Sequence, residues 1–449
     1  MNLIEQALKR TTDTKALILE RGAMEKTATM FMELFPGKKG VVVADTRTFS
    51  VAGKRVDTIM AKAGLKAAEP FIFDDPDLFA EWGFACMLKE YLSGIDAVAV
   101  AVAVGSGVIN DLTKYVSSTL GRPYMIVGTA ASMDGYTAYG ASISIDGNKQ
   151  TLDCPAPRGM ILDPVISAEA PKELAASGYA DLIAKVPAGA DWIIADALGV
   201  EPIDPFTWDL VQKKLRFALS DPDGIHAGKK DVTEALAEGL IMSGFAMQAL
   251  QSSRPASGTE HQYSHFWDMD GLCMNGKHVS HGFKVGIGTL VSTASLEFLI
   301  DLPLDTIDID KAVSQWPEWD GMETRIRELF KDKPAHMARA LKETKGKYVG
   351  KEALRKELEC FVRVWPTLRE KVRGQIYSFD TVYDYLKRVG APYEPEQIGI
   401  SRERLRYTFR RIPYMRSRYT NADIIQRLGV QDRLEKYLFG PGGHWEILQ

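Results

Sequence analysis

The sequence predicts an α/β domain built on a Rossmann-like parallel sheet, followed by an all-α domain. Three observations carry that class. Short apolar runs alternate with helix-length amphipathic patterns up to about residue 165, as βαβ units do. The run AVAVAVAV, Ala97 to Val104, shows no polar alternation, as a strand covered on both faces requires. From about Ala168 the pattern becomes helical and stays so. A length of 449 residues suits two or three domains, and the single change of pattern favours two, 1–165 and 166–449.

Each element follows from its residues. KALILERGAMEKTATMFMELF reads as strand, glycine break and helix; GVVVADTRTFSVAGKRVDTIMAKAG repeats this, with a strand at Val41 to Val43, Asp45 at its carboxyl end and a helix from about Val51. DPDLFAEWGFACMLKEYLSG is an amphipathic helix leading to the central strand AVAVAVAV, which runs into GSGVINDLTKYVSSTLG. PYMIVGT is the next strand, and AASMDGYTAYGAS is the loop at its end. SISIDGNKQTL alternates about an Asp-Gly pair, which predicts a hairpin, and RGMILDP closes the sheet near Pro164. Beyond it, three long segments ending at Gly199, Ser253 and Ile300 have helical length and period. Lys331 to Lys351, rich in lysine and glycine, reads as a loop, and amphipathic helices continue to Phe439.

Composition narrows the function. Lys+Arg 55 against Asp+Glu 59 gives a formal charge of −4, which argues against a nucleic-acid partner and for a small molecule. The cysteines Cys86, Cys154, Cys273 and Cys360 form no CxxC and suit a reducing cytoplasm. The charged start MNLIEQALKR lacks the apolar stretch of a signal peptide, and the longest clear apolar run falls far short of a membrane span. Seven arginines, Arg402, Arg404, Arg406, Arg410, Arg411, Arg416 and Arg418, crowd one late segment. It reads as an exposed helical face or a subunit contact in a homo-oligomer rather than an RNA-binding element, because no nucleic-acid module accompanies it.

Histidine placement is the sharpest chemical signal. Four of the seven histidines, His261, His265, His278 and His281, fall in GTEHQYSHFWDMDGLCMNGKHVSHGFK. On a helix His261 and His265 are one turn apart on one face, a spacing that lets two imidazoles share a metal or divide between metal and substrate. His281 opens the next helical run. Two polar helix residues satisfied by neighbours remain the plain alternative. A divalent ion used as a Lewis acid takes three protein ligands and an open position, and histidines with one carboxylate suit zinc or nickel; Asp181, on the first helix after the sheet, is attractive as the acidic ligand, although alone it reads as a solvated helix residue. Gly105, Ser106 and Gly107 follow a buried strand and open a helix, where N–H groups can meet a pyrophosphate. The third glycine of GxGxxG is missing, so a tight turn with nothing bound stays open. Thr129, Ser132 and Asp134 offer hydrogen bonds to ribose or substrate hydroxyls, or form a plain turn.

Taken in order, LERGAMEK, VVVADTRT, GSGVINDLTKY, TAASMDGYTAYGASI, APKELAASGYADLIAK, GTEHQYSH and HGFKVGIGTL resemble the superfamily of iron-containing alcohol dehydrogenases, glycerol dehydrogenases and dehydroquinate synthases, over about residues 15 to 295. The glycerol-1-phosphate dehydrogenase branch is the nearest in pattern. The resemblance implies a dehydroquinate synthase-like fold, with a dinucleotide-binding domain at 1–165 and a metal- and substrate-binding helical domain at 166–449. It implies one divalent metal, zinc or nickel, on Asp181, His261 and His281, with His265 and Asp134 as catalytic residues beside the substrate. NAD or NADP would be held by Asp45 at the adenosine ribose, by Gly105, Ser106, Gly107 and Asp111 at the pyrophosphate, and by Thr129 and Ser132 under the nicotinamide. Asp45 favours a free 2′-hydroxyl, whereas Arg47 can accept a 2′-phosphate. The implied reaction interconverts dihydroxyacetone phosphate and sn-glycerol 1-phosphate, with Lys284 or Lys185 as candidates for the phosphate. The rivals are a polyol dehydrogenase acting on a free diol and a cyclase of the dehydroquinate synthase kind, whose members resemble this region with Glu at the place of Asp181. HGFK departs from the HGE of many members, so Phe283 removes a carboxylate near the third ligand.

Overall fold

The alternating apolar runs of the first third fold into one six-stranded sheet, parallel throughout: β1 (Ala16–Leu19), β2 (Lys39–Asp45), β3 (Phe71–Phe73), β4 (Ala99–Gly105), β5 (Tyr124–Gly128) and, after the hairpin strands β6 (Ala141–Ile145) and β7 (Asn148–Leu152), β8 (Gly159–Leu162). The computed structural model of the chain describes residues 3–145, 148–304 and 307–447. Across the sheet the order is β1-β8-β5-β4-β2-β3, so β2 leads outward to β3 and the chain then returns to lay β4 on the other side of β2. That reversal makes a topological switch point, with a crevice at the carboxyl ends of β2 and β4. Val43 pairs with Ala103 there, so Asp45 and Gly105, two residues further on, end adjacent strands.

Every residue of β4 is buried. Val100, Val102 and Val104 pack with Phe31, Val42, Val56 and Met60 in one apolar cluster, and helix Gly107–Thr119 also packs on the sheet, which is why AVAVAVAV lacks polar alternation. The α/β-then-helical class read from the sequence stands. Several details differ. The three-residue edge strand β3 is too short for a periodic signal and escapes the sequence reading. The helix expected from Val51 begins at Thr46, because Asp45 caps it. β6 and β7 pair as expected, Ile143 opposite Gln150, while the Asp146-Gly147 turn lies outside the described residues.

Among the described residues the second half is helical except for a two-stranded ribbon, Cys273–Met274 with Lys277–His278. Its turn, Asn275-Gly276, has φ of 52° and 76°, the two positive values a tight hairpin turn requires. The expected loop at Lys331 to Lys351 is mostly the helix Pro334–Lys347: Pro334 starts it, Lys342 and Lys345 stay exposed, and the Lys347 amine is buried against Asp423. Among the described residues one helix, His281–Asp301, has the length and mean hydropathy, 1.4, of a membrane span, but 83% of that window is buried in the fold, as in a core helix.

The chain forms two compact units. One comprises Met1–Leu182, Pro205–Pro255 and Arg388–Ala391; the other comprises Ile183–Asp204, Ala256–Lys387 and Pro392–Gln449. Within the first, buried Gln248 explains why the helix Lys230–Leu250 joins the sheet. Its Oε1 accepts from the N–H groups of Asp13 and Thr14, at 3.0 and 3.1 Å, and its Nε2 donates to Thr137 O at 2.8 Å. A buried amide with its hydrogen bonds met ties three segments at once.

Candidate functional site

The carboxyl ends of the strands carry the expected dinucleotide residues. Asp45 is an N-cap whose Oδ1 accepts from Arg47 N and Thr48 N, both at 2.9 Å. A Cβ on Gly105 would stand 2.7 Å from Cβ and Cγ1 of Ile109, which favours a small residue there, whereas one on Gly107 would meet only the flexible Met133 side chain, at 2.9 Å from its methyl end. Ser106 is the N-cap of helix Gly107–Thr119, and its side chain makes no capping bond. Asp111 points toward the hairpin, where Ser142 N lies 3.4 Å from Oδ2.

The loop after β5 is fixed from several sides. Thr129 N donates to Gly105 O at 3.1 Å, and Tyr136 OH donates to Ala130 O at 2.9 Å. Lys114 is buried, and its three N–H groups meet the carbonyls of Gly135, Ala138 and Gly140 at 2.9, 2.8 and 3.0 Å. Burial lowers its pKa, yet three dipoles replace its water. Helix backbones approach this loop closely: a Cβ on Gly178 would be 2.1 Å from Ala131 O, and one on Gly244 would be 2.6 Å from Asp134 O. Thr129, Ser132 and Asp134 are buried there. Asp134 Oδ2 accepts from Ser243 Oγ at 2.9 Å, and Asp134 N donates to Asp181 Oδ2 at 3.1 Å.

The histidines occupy two helices held at close range. Helix Thr259–Met269 carries His261 and His265, and helix His281–Asp301 starts with His281. A Cβ on Gly288 would lie 2.3 Å from Glu260 O, so only glycine lets these helices pack as they do. Gly258 offers no side chain to cap the first helix; Asp191 does so instead, accepting from Thr259 N at 2.8 Å and Thr259 Oγ1 at 2.9 Å. Glu260 Oε1 accepts from Gly258 N at 2.6 Å and faces His261 Nδ1 at 2.8 Å. A carboxylate in that position places the imidazole proton on Nδ1 and leaves Nε2 as the lone-pair nitrogen. Ser264 Oγ stands 3.2 Å from His281 Nδ1 and can do the same for that ring. The His261 and His281 ring centres are 5.4 Å apart.

One donor atom each from Asp181, His261 and His281 lies within 4.8 Å of the others, with Asp181 and His261 buried. His265 is outside this set. Its ring centre is 6.4 Å from that of His261, and its Nε2 lies 3.3 Å from Arg416 Nη1. Burial first, and then the guanidiniums of Arg416 and Arg339, holds its pKa well below the ordinary imidazole value. His278 sits on the exposed ribbon beside Cys273. Of the two lysines considered for a phosphate, Lys284 is ion-paired with Asp268 and donates to Val279 O at 2.9 Å, and Lys185 is fully buried.

A family model described as iron-containing alcohol dehydrogenase matches residues 18–171. A glycerol-1-phosphate dehydrogenase [NAD(P)+] of Geobacillus thermodenitrificans is 35% identical over 255 residues, 56% of this chain and 62% of that protein. The enzyme of that name from Bacillus licheniformis is 33% identical over 292 residues, 65% of this chain and 72% of its own length. The chain belongs to the iron-containing alcohol dehydrogenase family and groups with its glycerol-1-phosphate dehydrogenases. A glycerol dehydrogenase from Schizosaccharomyces pombe shares the fold, with a TM-score of 0.57 at 16% identity, covering 95% of this chain and 91% of that one.

For a member of this family, the donor chemistry fits a divalent cation. Two imidazoles and a carboxylate form a set that zinc, nickel and ferrous iron all accept. Glu260 Oε2 is a fully buried carboxylate oxygen with no hydrogen-bond partner, an arrangement that a nearby positive charge stabilises. Glu260 also supplies a carboxylate beside the histidines although Phe283 does not. It was legible in GTEHQYSH as the residue before His261. Lys114, Ser243, Asp191 and Arg416 carried no local signal, because their partners are remote in sequence.

Proposed function

We propose that this chain is a metal-dependent, NAD(P)-linked oxidoreductase that interconverts dihydroxyacetone phosphate and sn-glycerol 1-phosphate. The observation that carries the reading is the convergence of Asp181, His261 and His281, in a chain whose curated relatives bear that enzyme's name. The metal would rest on those three residues, with zinc or nickel as its identity. The dinucleotide, NAD or NADP, would lie along the carboxyl ends of β2, β4 and β5, with Asp45 at the ribose, Gly105 to Gly107 and Asp111 at the pyrophosphate, and Thr129 and Ser132 under the nicotinamide. On this reading residues 1–165 bind dinucleotide and 166–449 bind metal and substrate. The enzyme works in the cytoplasm as a homodimer or larger homo-oligomer, and its four unpaired cysteines suit such a compartment.

A bound nicotinamide would supply the hydride chemistry at C2, and a cation held by Asp181, His261 and His281 would supply Lewis acidity at the adjoining oxygen, worth several kcal/mol. The chain's own groups prepare that event. Glu260 fixes the His261 tautomer, and Ser264 orients His281. Ser243 holds the Asp134 carboxylate in one orientation, beside the reacting carbon. His265 stays neutral, so it adds no charge of its own and hands protons on rather than storing one.

The test uses metal-reconstituted protein, NADH or NADPH, and dihydroxyacetone phosphate beside free dihydroxyacetone. Oxidation of cofactor with a strong preference for the phosphorylated ketone is expected. Equal use of the free ketone would point to a polyol dehydrogenase, and no cofactor consumption across a ketone panel would refute the redox reading.

A further inference from the structure

Helix Thr259–Met269, which carries His261 and His265, does not cap itself. Gly258 stands at its N-cap, where a Cβ would come within 2.5 Å of Asp191 Oδ2 and 2.9 Å of Glu260 Oε2. The cap is the carboxylate of Asp191, which belongs to a different helix, Lys185–Ala197, and whose Oδ2 accepts from Thr259 N and Thr259 Oγ1. A local Ser or Asp would start the helix equally well. A remote cap does more, because it ties the start of one helix to a fixed place on another.

Asp191 is held in turn by the C-terminal part of the chain. Its Oδ1 accepts from Asn421 N and Asn421 Nδ2, both at 2.8 Å. The other hydrogen of that amide goes to Ser292 Oγ, with Nδ2 at 3.1 Å. Ser292 lies three turns beyond His281 on the same face of helix His281–Asp301, the face on which Gly288 admits the Glu260 backbone. One side chain therefore touches both the cap of the His261 helix and the helix that His281 opens. Asn421 is itself fixed from behind: Thr420 N and Oγ1 donate to Asp423 Oδ2 at 2.9 and 3.1 Å, and Lys347 pairs with Asp423 at 2.6 Å. Arg418 Nη1 donates to Ser257 O at 2.7 Å, so residues 418–421 grip the entry to the His261 helix at two points. All of these residues belong to the second compact unit.

Stability alone is a poor account of this arrangement. Asp191 and Ser292 are fully buried and Asn421 is 1% exposed, and taking a carboxylate and an amide out of water costs free energy that their hydrogen bonds do little more than recover. Asn421 Oδ1 is buried with no hydrogen-bond partner, and turning the amide over would set that oxygen against the Asp191 carboxylate. Directional bonds kept although an oxygen is orphaned mark a geometry that is specified. The geometry here is the placement of two helices that each present one imidazole. We propose that Asn421, acting through Asp191 and Ser292, is a positioning residue that holds His261 and His281 in register for one cation. This rests on the metal-dependent reading above.

The experiment loads full-length protein with cobalt(II), whose visible absorption reports ligand geometry, and measures affinity by competition with a chelator well below every Tm. Asn421→Ala should weaken cobalt binding about 10-fold and change the shape of the absorption bands. In the metal-free protein, amide exchange at the start of helix Thr259–Met269 should speed up in the same variant. Ser292→Ala, which releases one arm only, should act in the same direction to a smaller extent, and it carries the test if Asn421→Ala does not fold. Leu386→Ala, at a fully buried position of helix Phe379–Val389 outside these hydrogen bonds, should lower Tm and leave cobalt affinity and spectrum at wild-type values. Wild-type affinity and spectrum in whichever of the two brace variants folds overturn the proposal. Losses that track Tm equally in Leu386→Ala assign Asn421 to stability alone and likewise overturn it. A wild-type chain that binds cobalt but oxidises no NAD(P)H with any ketone refutes the reaction reading by itself, and the titrations still decide the brace; a wild-type chain that takes up no cobalt overturns both.

Discussion

Replacing Gly288 with alanine should separate the two histidine helices and release the metal. The added Cβ would stand 2.3 Å from Glu260 O and 3.0 Å from its carbonyl carbon. Both are backbone atoms of the neighbouring helix, so no side chain can swing away. Ordinary contact begins near 3.4 Å, and the helices must part by about 1 Å in a tightly packed interior. Overpacking of this kind destabilises by roughly 1–3 kcal/mol. The shift also moves His261, next to Glu260, away from His281. A misplacement of about 1 Å is enough to lower turnover by about 100-fold. The assay is metal content per chain, Tm, and NAD(P)H oxidation on the same preparations. Gly374→Ala, in helix Lys351–Gln375 with nothing within 4 Å of its Cβ, serves as the counter-case and should be neutral or slightly stabilising. Full metal occupancy with unchanged Tm and kcat in Gly288→Ala would refute the reasoning.

Glu260→Gln keeps the shape but loses the carboxylate facing His261 Nδ1, and metal affinity should fall about 10- to 100-fold; competition with a chelator measures it. Lys114→Met leaves the carbonyls of Gly135, Ala138 and Gly140 without their donor, so loop 129–140 should loosen. KM for NAD(P)H should rise more than kcat falls, and hydrogen exchange should speed across that loop. Asp270 predicts an acid limb in stability. Burial alone would raise its pKa, but hydrogen bonds from His336 and Lys333 overcome burial and hold it down to about 2, from an ordinary 3.8. A depressed carboxyl stabilises the fold above its unfolded value and loses that contribution as pH falls from about 4 through 2, of order 2 kcal/mol in all. Denaturant melts of Asp270→Asn should lack this limb; an identical pH profile in the variant would contradict it.

The parallel sheet and its helices were legible because burial on both faces leaves continuous apolar runs, and AVAVAVAV is the plainest. The strand-end glycines were legible because a βα turn needs small residues wherever it occurs. The edge strand Phe71–Phe73 was not, since three residues hold no period. The ribbon at Asn275-Gly276 carried a hairpin signal that the helical pattern around it obscured. The helix at Pro334–Lys347 was hidden by its lysines and glycine, which imitate a loop in composition although the Lys347 amine is in fact buried against Asp423.

The sequence by itself determined what local chemistry determines: an α/β half, a helical half, a cluster of histidines one helical turn apart, and glycines at strand ends. Only the tertiary structure decided which groups meet. Asp181 joins His261 and His281 across some eighty to a hundred positions of chain, Glu260 proves to be the residue that orients His261, and Arg416 reaches His265 from 151 residues away. Periodicity reports which face a residue occupies on its own element. It carries no information on which other element packs there, and that packing, set here by glycines such as Gly288 that admit a neighbouring backbone, is what places one donor within reach of another.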